Sequence, residues 1–313
     1  MKPTYFRDND LLVIGETYVE FRASREPAVC EEFHKDMGGG DVYVAACASH
    51  LGSSVSFVSA VARDPFHQFL RDRLLGRGLN IDHVVTVQGY NGIYIAASKN
   101  SQEREYLYHR PGTAAESLSP AMIYDDLIDN TKVVYASSEL QSVSKAARHT
   151  VFKAFHYAHR NDIMVAYDPN LRLRRWSLDD AKESLWGVLP LVDVILPSCP
   201  DESKALFGYE RPVDVIGFLW DRGVSIVVVK NGALGCMVGY DGRIEEYRLP
   251  DEAPAVADLT LVGSVFNGAF LHSIARGQDP FTAAGFANLI ASHKAAGDGG
   301  LNSLPDPDRL SAQ

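Results

Sequence analysis

Short apolar runs recur along this chain with helix-like segments between them, and few folds accommodate that alternation. The first run, Leu11-Leu12-Val13-Ile14-Gly15, is apolar throughout and ends in glycine. A strand buried on both faces reads this way, whereas a half-exposed strand alternates polar and apolar side chains. Similar runs lie at 55–61, 132–136, 163–167, 192–196 and 226–229. Segments of helical character, 42–51, 65–77, 144–159, 178–188 and 213–222, fall between several of them. Strands alternating with helices predict an α/β fold: a mainly parallel central sheet with helices on both faces. No repeat, low-complexity tract or linker interrupts the pattern, so a single domain over residues 1–313 is expected.

Two regions depart from it. Residues 18–35 and 90–110 alternate polar and apolar side chains and carry several aromatics. They read as antiparallel strands projecting from the main sheet. Such a small sheet either forms a lid over the strand ends, where open α/β sheets bind ligands, or is an ordinary surface hairpin.

The chain has 313 residues, 46% of them hydrophobic and 22% charged, enough to bury a large core. Its net charge of −10 disfavours nucleic acid and membrane surfaces as partners, since binders of either are normally basic. Cys30, Cys47, Cys199 and Cys236 are far apart and form no CxxC pair, so reduced thiols in a cytoplasmic protein are expected. The polar start of the chain does not read as a signal peptide, and no run reaches the roughly 18 apolar residues of a membrane span. The ten histidines show no metal-ligand spacing; His156 and His159 lie three apart on a helix without a third ligand.

Four segments carry candidate chemistry. Gly38-Gly39-Gly40-Asp41 runs directly into a helix, where glycines let backbone approach a ligand or simply make a tight turn. Tyr167-Asp168-Pro169-Asn170-Leu171-Arg172 follows a buried strand. Arg172 there either grips a carboxylate or phosphate or bridges to a nearby Asp. Lys230-Asn231-Gly232-Ala233-Leu234-Gly235 follows another strand and either flanks a nucleotide or closes a hairpin. Residues 257–271 hold a glycine followed, from Ser264 onward, by an apolar small-residue helix whose start would attract an anion.

In their order and spacing, these segments, with Gly15-Glu16 and Asp64, resemble the PfkB/ribokinase sugar kinases over nearly the whole chain. The 2-keto-3-deoxygluconate kinases and their fructokinase-like relatives are the most similar. The resemblance implies a ribokinase-like fold with a small β-sheet lid, ATP and Mg2+ as cofactors, a sugar or sugar acid as ligand, and a homodimer paired through the lid. The family signature reads Asp-Thr-Thr-Gly-Ala-Gly-Asp. Its glycine turn supplies N–H donors to the moving phosphoryl group, and its last Asp takes the hydroxyl proton.

Aligned on Asp258 and Phe266 without a gap, this chain reads Asp258-Leu259-Thr260-Leu261-Val262-Gly263-Ser264. Ser264 therefore stands at the base position beside Gly263. Loss of a general base costs about 10² to 10⁴ in rate, although phosphoryl transfer leans heavily on positioning and electrostatics. Leu261 and Val262 replace small residues where backbone must approach an anion. Tyr43 stands where the resemblance places a sugar-contacting Asn beside Gly39. Ala62 and His67 stand near Asp64 in place of glycines, and Cys199 occupies the Asn place of the Asn-x-x-Glu element that ends at Glu202. The sugar-acid contacts are better kept. The resemblance maps two lid tyrosines and an arginine onto Tyr94, Tyr108 and Arg110, and a further arginine onto Arg172. Lys230, Gly232, Gly235, Asp258 and Glu202 map onto the nucleotide side, and Asp298 borders it. These features lead to an expected sugar-kinase homologue, impaired or inactive in phosphoryl transfer, that retains sugar-acid or nucleotide binding. The alternative is an active ATP-dependent kinase for 2-keto-3-deoxygluconate or a related sugar.

Overall fold

The computed structural model describes residues 7–23, 25–98, 104–249, 259, 261–297 and 300–306. Among them the strands are β1 (Asn9–Ile14), β2 (Tyr18–Ala23), β3 (His34–Gly38), β4 (Val55–Ala62), β5 (Val84–Val87), β6 (Ile93–Ser98), β7 (Arg104–His109), β8 (Thr131–Ser137), β9 (Met164–Asp168), β10 (Val194–Ile195), β11 (Ile226–Lys230), β12 (Cys236–Tyr240) and β13 (Arg243–Tyr247). Nine of these form one sheet in the order β13-β12-β11-β10-β9-β8-β1-β4-β5. It is parallel from β11 to β5, and β12 and β13 extend it antiparallel at one edge.

All six apolar runs become strands of this sheet. Successive side chains of β1 go to opposite faces, so Leu11 and Val13 enter one core and Leu12 and Ile14 the other. The first core packs under helices α1 (Gly40–His50) and α2 (His67–Gly76). The second packs under α3 (Lys145–Arg160), α4 (Leu178–Val188) and α5 (Pro212–Trp220). Two further helices, α6 (Val262–Ala275) and α7 (Pro280–Ala296), return to the first face. Caps fix where several of them start. Ser144 Oγ accepts the Ala147 N–H ahead of α3, Ser177 Oγ accepts that of Asp180 in α4, and Asp279 with Pro280 opens α7. Phe57, Phe155 and Phe270 are fully buried, each contributing about 2–3 kcal/mol of transfer free energy.

The second sheet has the order β3-β2-β6-β7. The alternating segments supply β2, β6 and β7, with two differences from expectation: β3 lies mostly past residue 35 and ends at Gly38, and β2 and β6 run parallel, while β2–β3 and β6–β7 are antiparallel. Parallel pairing follows from the long crossover through β4 and β5 that separates the two hairpin arms. A strand at 84–87 and the edge strand β13 are not foreseen from the apolar runs, because both are short and largely exposed, whereas the mostly buried β12 closes the hairpin that the glycine turn after β11 allowed.

The chain leaves β1 toward β4 on one side and returns through β8 on the other. This reversal of strand order opens a crevice at the C-terminal ends of the parallel strands. Glu16, Glu139, Asp168 and Lys230 all lie at those ends.

Candidate functional site

Glycine geometry shapes the floor of the crevice. Gly39 has φ of +136°, and a Cβ there would collide with the Glu16 carbonyl oxygen, so only glycine fits. A methyl group on Gly40 would lie 2.9 Å from Glu139 Oε2, 3.4 Å from Asn170 Nδ2 and 3.5 Å from Ser264 Oγ. The backbone of Gly40 is therefore crowded by a carboxylate, an amide and a hydroxyl from three distant stretches of sequence, which come together over the start of α1. Ser264 is buried in the first turn of α6, and its hydroxyl makes no hydrogen bond among the described residues.

The turn leading into α6 keeps an unusual backbone. Leu261 has φ of 57° and ψ of 18°, the left-handed region, which costs a non-glycine residue about 1 kcal/mol. Leu261 and the exposed Leu259 line a cavity of about 220 Å³ with Tyr18, Glu20, Tyr94, Tyr108, Glu139 and Arg172. Just beyond Gly263, Lys230 Nζ donates to Asp168 Oδ2 at 3.0 Å and to Asn267 Oδ1 at 3.2 Å, while Asn267 Nδ2 donates to Asp168 Oδ2 at 2.6 Å. Lys230 lies 3.9 Å from where a Cβ on Gly263 would stand. An ammonium beside the first turn of α6, whose leading N–H groups have no intrahelical acceptor, suits a phosphate group. Glu202 is turned inward and accepts the N–H groups of Ser198 at 2.8 Å and Leu171 at 2.7 Å. Burial and Asp168 raise its pKa, against the opposing pull of Lys230. Gly232 and Gly235 make the positive-φ turn between β11 and β12. Asp258 and Asp298 lie outside the described residues.

The predicted arginines do unequal things. Arg110 is buried, with its side chain 3% exposed. Nε donates to Glu16 Oε1 and Nη1 to Glu139 Oε1, each at 3.0 Å, and Nη2 pairs with Glu16 Oε2. Burial works against its charge, but Glu16 and Glu139 outweigh that and push its pKa up. Burial also pulls Glu139 upward, yet Arg110, Arg172 and Arg175 bring it down to about 2. Arg172 is 42% exposed, with Nε 3.7 Å from Glu139 Oε2. Its carboxylate neighbour is thus a glutamate rather than an aspartate. Tyr94 is buried between Tyr18 and Tyr108, with ring centroids 5.7 and 4.9 Å away. Tyr108 is half-exposed, unlike Arg110 two residues on. Tyr43 sits apart from this group: fully buried on α1, its hydroxyl accepts from Arg22 Nη2 at 3.0 Å.

Two acidic residues escape the sequence reading, and a third, Asp41, figures there only as the end of a glycine run. Glu20 lines the small cavity, its Oε2 bound to Arg22 and its buried Oε1 without a partner among the described residues. Glu139 is the hub of the arginine network. Buried Asp41 has its pKa raised, first by burial and then by Glu139. The only signal for Glu139 is a polar Ser-Ser-Glu stop after an apolar strand. Glu20 looks like any outward side chain in an alternating segment.

A model of the pfkB family of carbohydrate kinases matches residues 8–307. The chain belongs to that family. Among its relatives is an ATP-dependent 6-phosphofructokinase from Thermoanaerobacterium thermosaccharolyticum, 26% identical over 304 residues, covering 96% of this chain and 92% of the relative. Another is a 2-dehydro-3-deoxygluconokinase from Thermoproteus tenax, 27% identical, with 95% and 91% covered. A 2-dehydro-3-deoxygluconokinase from Escherichia coli K12 is 28% identical, with 90% and 93% covered. The fold matches a PfkB protein from Polaromonas sp. JS666 with TM-score 0.88, 22% identity and 97% and 100% coverage. It also matches a putative ribokinase II from E. coli, solved with ATP and Mg2+, with TM-score 0.86 and 21% identity over 97% and 98%. The α/β architecture with its separate small sheet is therefore the ribokinase-like fold. No helix among the described residues is long and apolar enough to cross a membrane, and no His/Cys/Asp/Glu cluster among them would hold a metal ion.

Proposed function

We propose that this pfkB-family chain is a sugar-kinase homologue impaired or inactive in phosphoryl transfer, which retains binding of a sugar acid, a nucleotide or both. The observation that carries this reading is Ser264. In the gap-free match it occupies the place of the family's proton-accepting Asp, and its hydroxyl lies 3.5 Å from where a Cβ on Gly40 would stand, beside Glu139. A hydroxyl is a poor proton acceptor near neutral pH. Leu261 supports the same reading, because it holds a backbone shape that favours glycine where an anion must approach. On this reading Tyr94, Tyr108 and Arg172 face the sugar beside Gly39, with Arg110 ordering them. Lys230, Gly232, Gly235 and Glu202 hold the nucleotide and its Mg2+. The small sheet acts as a lid and pairs two copies, and the whole chain works as one domain in the cytoplasm.

Glu139 favours a second reading, an active ATP-dependent kinase for 2-keto-3-deoxygluconate or a related sugar. Its ionised carboxylate borders the same point as Ser264 and would serve as a relocated base. Its three arginine neighbours make it a weak base, which places this reading second. Assay of ATP-dependent phosphorylation over keto-sugars and sugar acids separates the two. The first predicts negligible turnover by the native chain and a rise of about 10² to 10⁴ in Ser264→Asp. Robust native turnover that survives Ser264→Ala and disappears in Glu139→Gln would overturn it in favour of the second.

A further inference from the structure

Away from the crevice, a cavity of about 440 Å³ opens between the start of α3, the helix α4 and the short helix Ser138–Gln141 that follows β8. Its volume falls within the range of about 300–1,000 Å³ typical of small-ligand pockets, and it shares no lining residue with the small cavity at Leu261. Its charges are sorted by helix. α3 contributes Lys145, Arg148 and His149, and α4 contributes Asp180 and Glu183. Spacings of three and four keep each set on one side of its helix. No ion pair joins the two sets among the described residues. The side chains of Lys145 and Glu183 make no hydrogen bond there, and the Asp180 carboxylate accepts only the Ser177 hydroxyl, at 2.7 Å. The Arg148 guanidinium lies 5.6 Å over the Trp176 ring, and its covered Nε has no acceptor. Gln141 closes the floor. It is buried, its Oε1 accepts the Tyr167 hydroxyl at 2.7 Å, and its Nε2 donates to no described residue. Exposed Phe152 and buried Val188 supply an apolar wall, and Gly187 leaves open space beside it, since a Cβ there would meet nothing within 4 Å.

We propose that this cavity binds a small zwitterion, a free α-amino acid with an apolar side chain. Lys145 and Arg148 balance Asp180 and Glu183, so the cavity favours a ligand that carries both charges over a simple anion or cation. The ligand carboxylate meets Lys145, Arg148 and the Gln141 amide, all of them donors without an acceptor of their own. A buried amide donor left without an acceptor costs free energy, which a ligand oxygen recovers, and a guanidinium meets a carboxylate two oxygens at a time. The ammonium lies across the cavity on Asp180 and Glu183, and the side chain rests on Phe152 and Val188.

Calorimetric titration of the full chain with leucine, phenylalanine, glycine, isocaproate and leucinamide tests it. Isocaproate lacks the ammonium of leucine, leucinamide lacks its carboxylate, and glycine lacks an apolar side chain. The expected result is that leucine or phenylalanine binds saturably, about tenfold or more tightly than each of the other three. Lys145→Glu and Glu183→Lys each weaken that binding by about tenfold or more, because each sets a like charge against one end of the zwitterion. Both positions are exposed on helices, so both variants should fold. Arg172→Ala, in the crevice, leaves the binding unchanged. Equal affinity for any of the three truncated probes, binding that survives both charge reversals, or binding lost in Arg172→Ala overturns the site. So does failure of leucine and phenylalanine to bind at millimolar concentration. None of these outcomes bears on the sugar-binding reading, whose residues lie in the crevice.

Discussion

Replacing Glu139 by Gln would expose how much of the crevice is held by charge. The amide keeps the shape and the contact with Asn170 but leaves Arg110 paired with Glu16 alone. The Glu139 carboxyl has an ordinary pKa of 4.5 and is held at about 2 in the fold. At about 1.4 kcal/mol for each pH unit of that difference, the charged form contributes about 3 kcal/mol of stability near neutral pH, in line with the cost of breaking a buried pair. The sign follows from the lowered value. The stabilisation is complete above pH 4.5 and is lost as pH falls toward about 2. Urea unfolding of both proteins near pH 7 and near pH 4 checks it. The variant should be weaker by about 3 kcal/mol near pH 7, and the gap should narrow by about 1 kcal/mol near pH 4. A gap that is negligible at neutral pH, or one that widens on acidification, would refute the assignment of Glu139 as the charged hub.

Gly268 lets α6 lie against α1: a Cβ there would come within 2.5 Å of the Val44 carbonyl oxygen and 2.8 Å of Cys47 Cβ. Gly268→Ala should cost about 1–3 kcal/mol in urea unfolding, whereas Gly217→Ala on α5, which meets nothing within 4 Å, should gain up to about 1 kcal/mol. His272 is partly buried, with Nδ1 2.8 Å from Ser53 Oγ. Burial and Arg276 lower its pKa to about 4 from 6.5, so the fold favours its neutral form. The associated stability is complete above pH 6.5 and falls as pH drops toward about 4. Discounted for the part of the ring that solvent reaches, His272→Leu should remove about 2 kcal/mol of that pH dependence in denaturant titrations across the window.

The main sheet was legible because the runs at 11–14 and 226–229 are apolar and largely β-branched, which suits a buried parallel strand, and because the family's motifs fall in order. The edge strand β13 was not, since residues such as Arg243 and Glu245 carry no buried face to betray them. At the site, motif spacing located Gly39, Ser264, Lys230 and Arg172, which the fold does bring to one crevice. What spacing could not convey is pairing. Arg110 and Tyr108 are two residues apart, yet one is saturated by carboxylates and the other is half-exposed. Nor could it find Glu139, which acquires its meaning from Arg110, 29 residues away along the chain. Glu20 was hidden for a different reason. Its partner Arg22 lies two residues on along the same strand, a spacing that any exposed ion pair shares, and only the fold buries it.

Arg110 stands just past the small sheet and plants its guanidinium between two acids of the large one. If the small sheet is a lid, as proposed, fastening it in this way would keep it from swinging freely, because lifting it would pull a buried cation from both of its anions at once. Entry and exit of a bound molecule would then run sideways, past the exposed side chains of Arg172 and Leu173, while the sheet that carries Tyr94 stays in place.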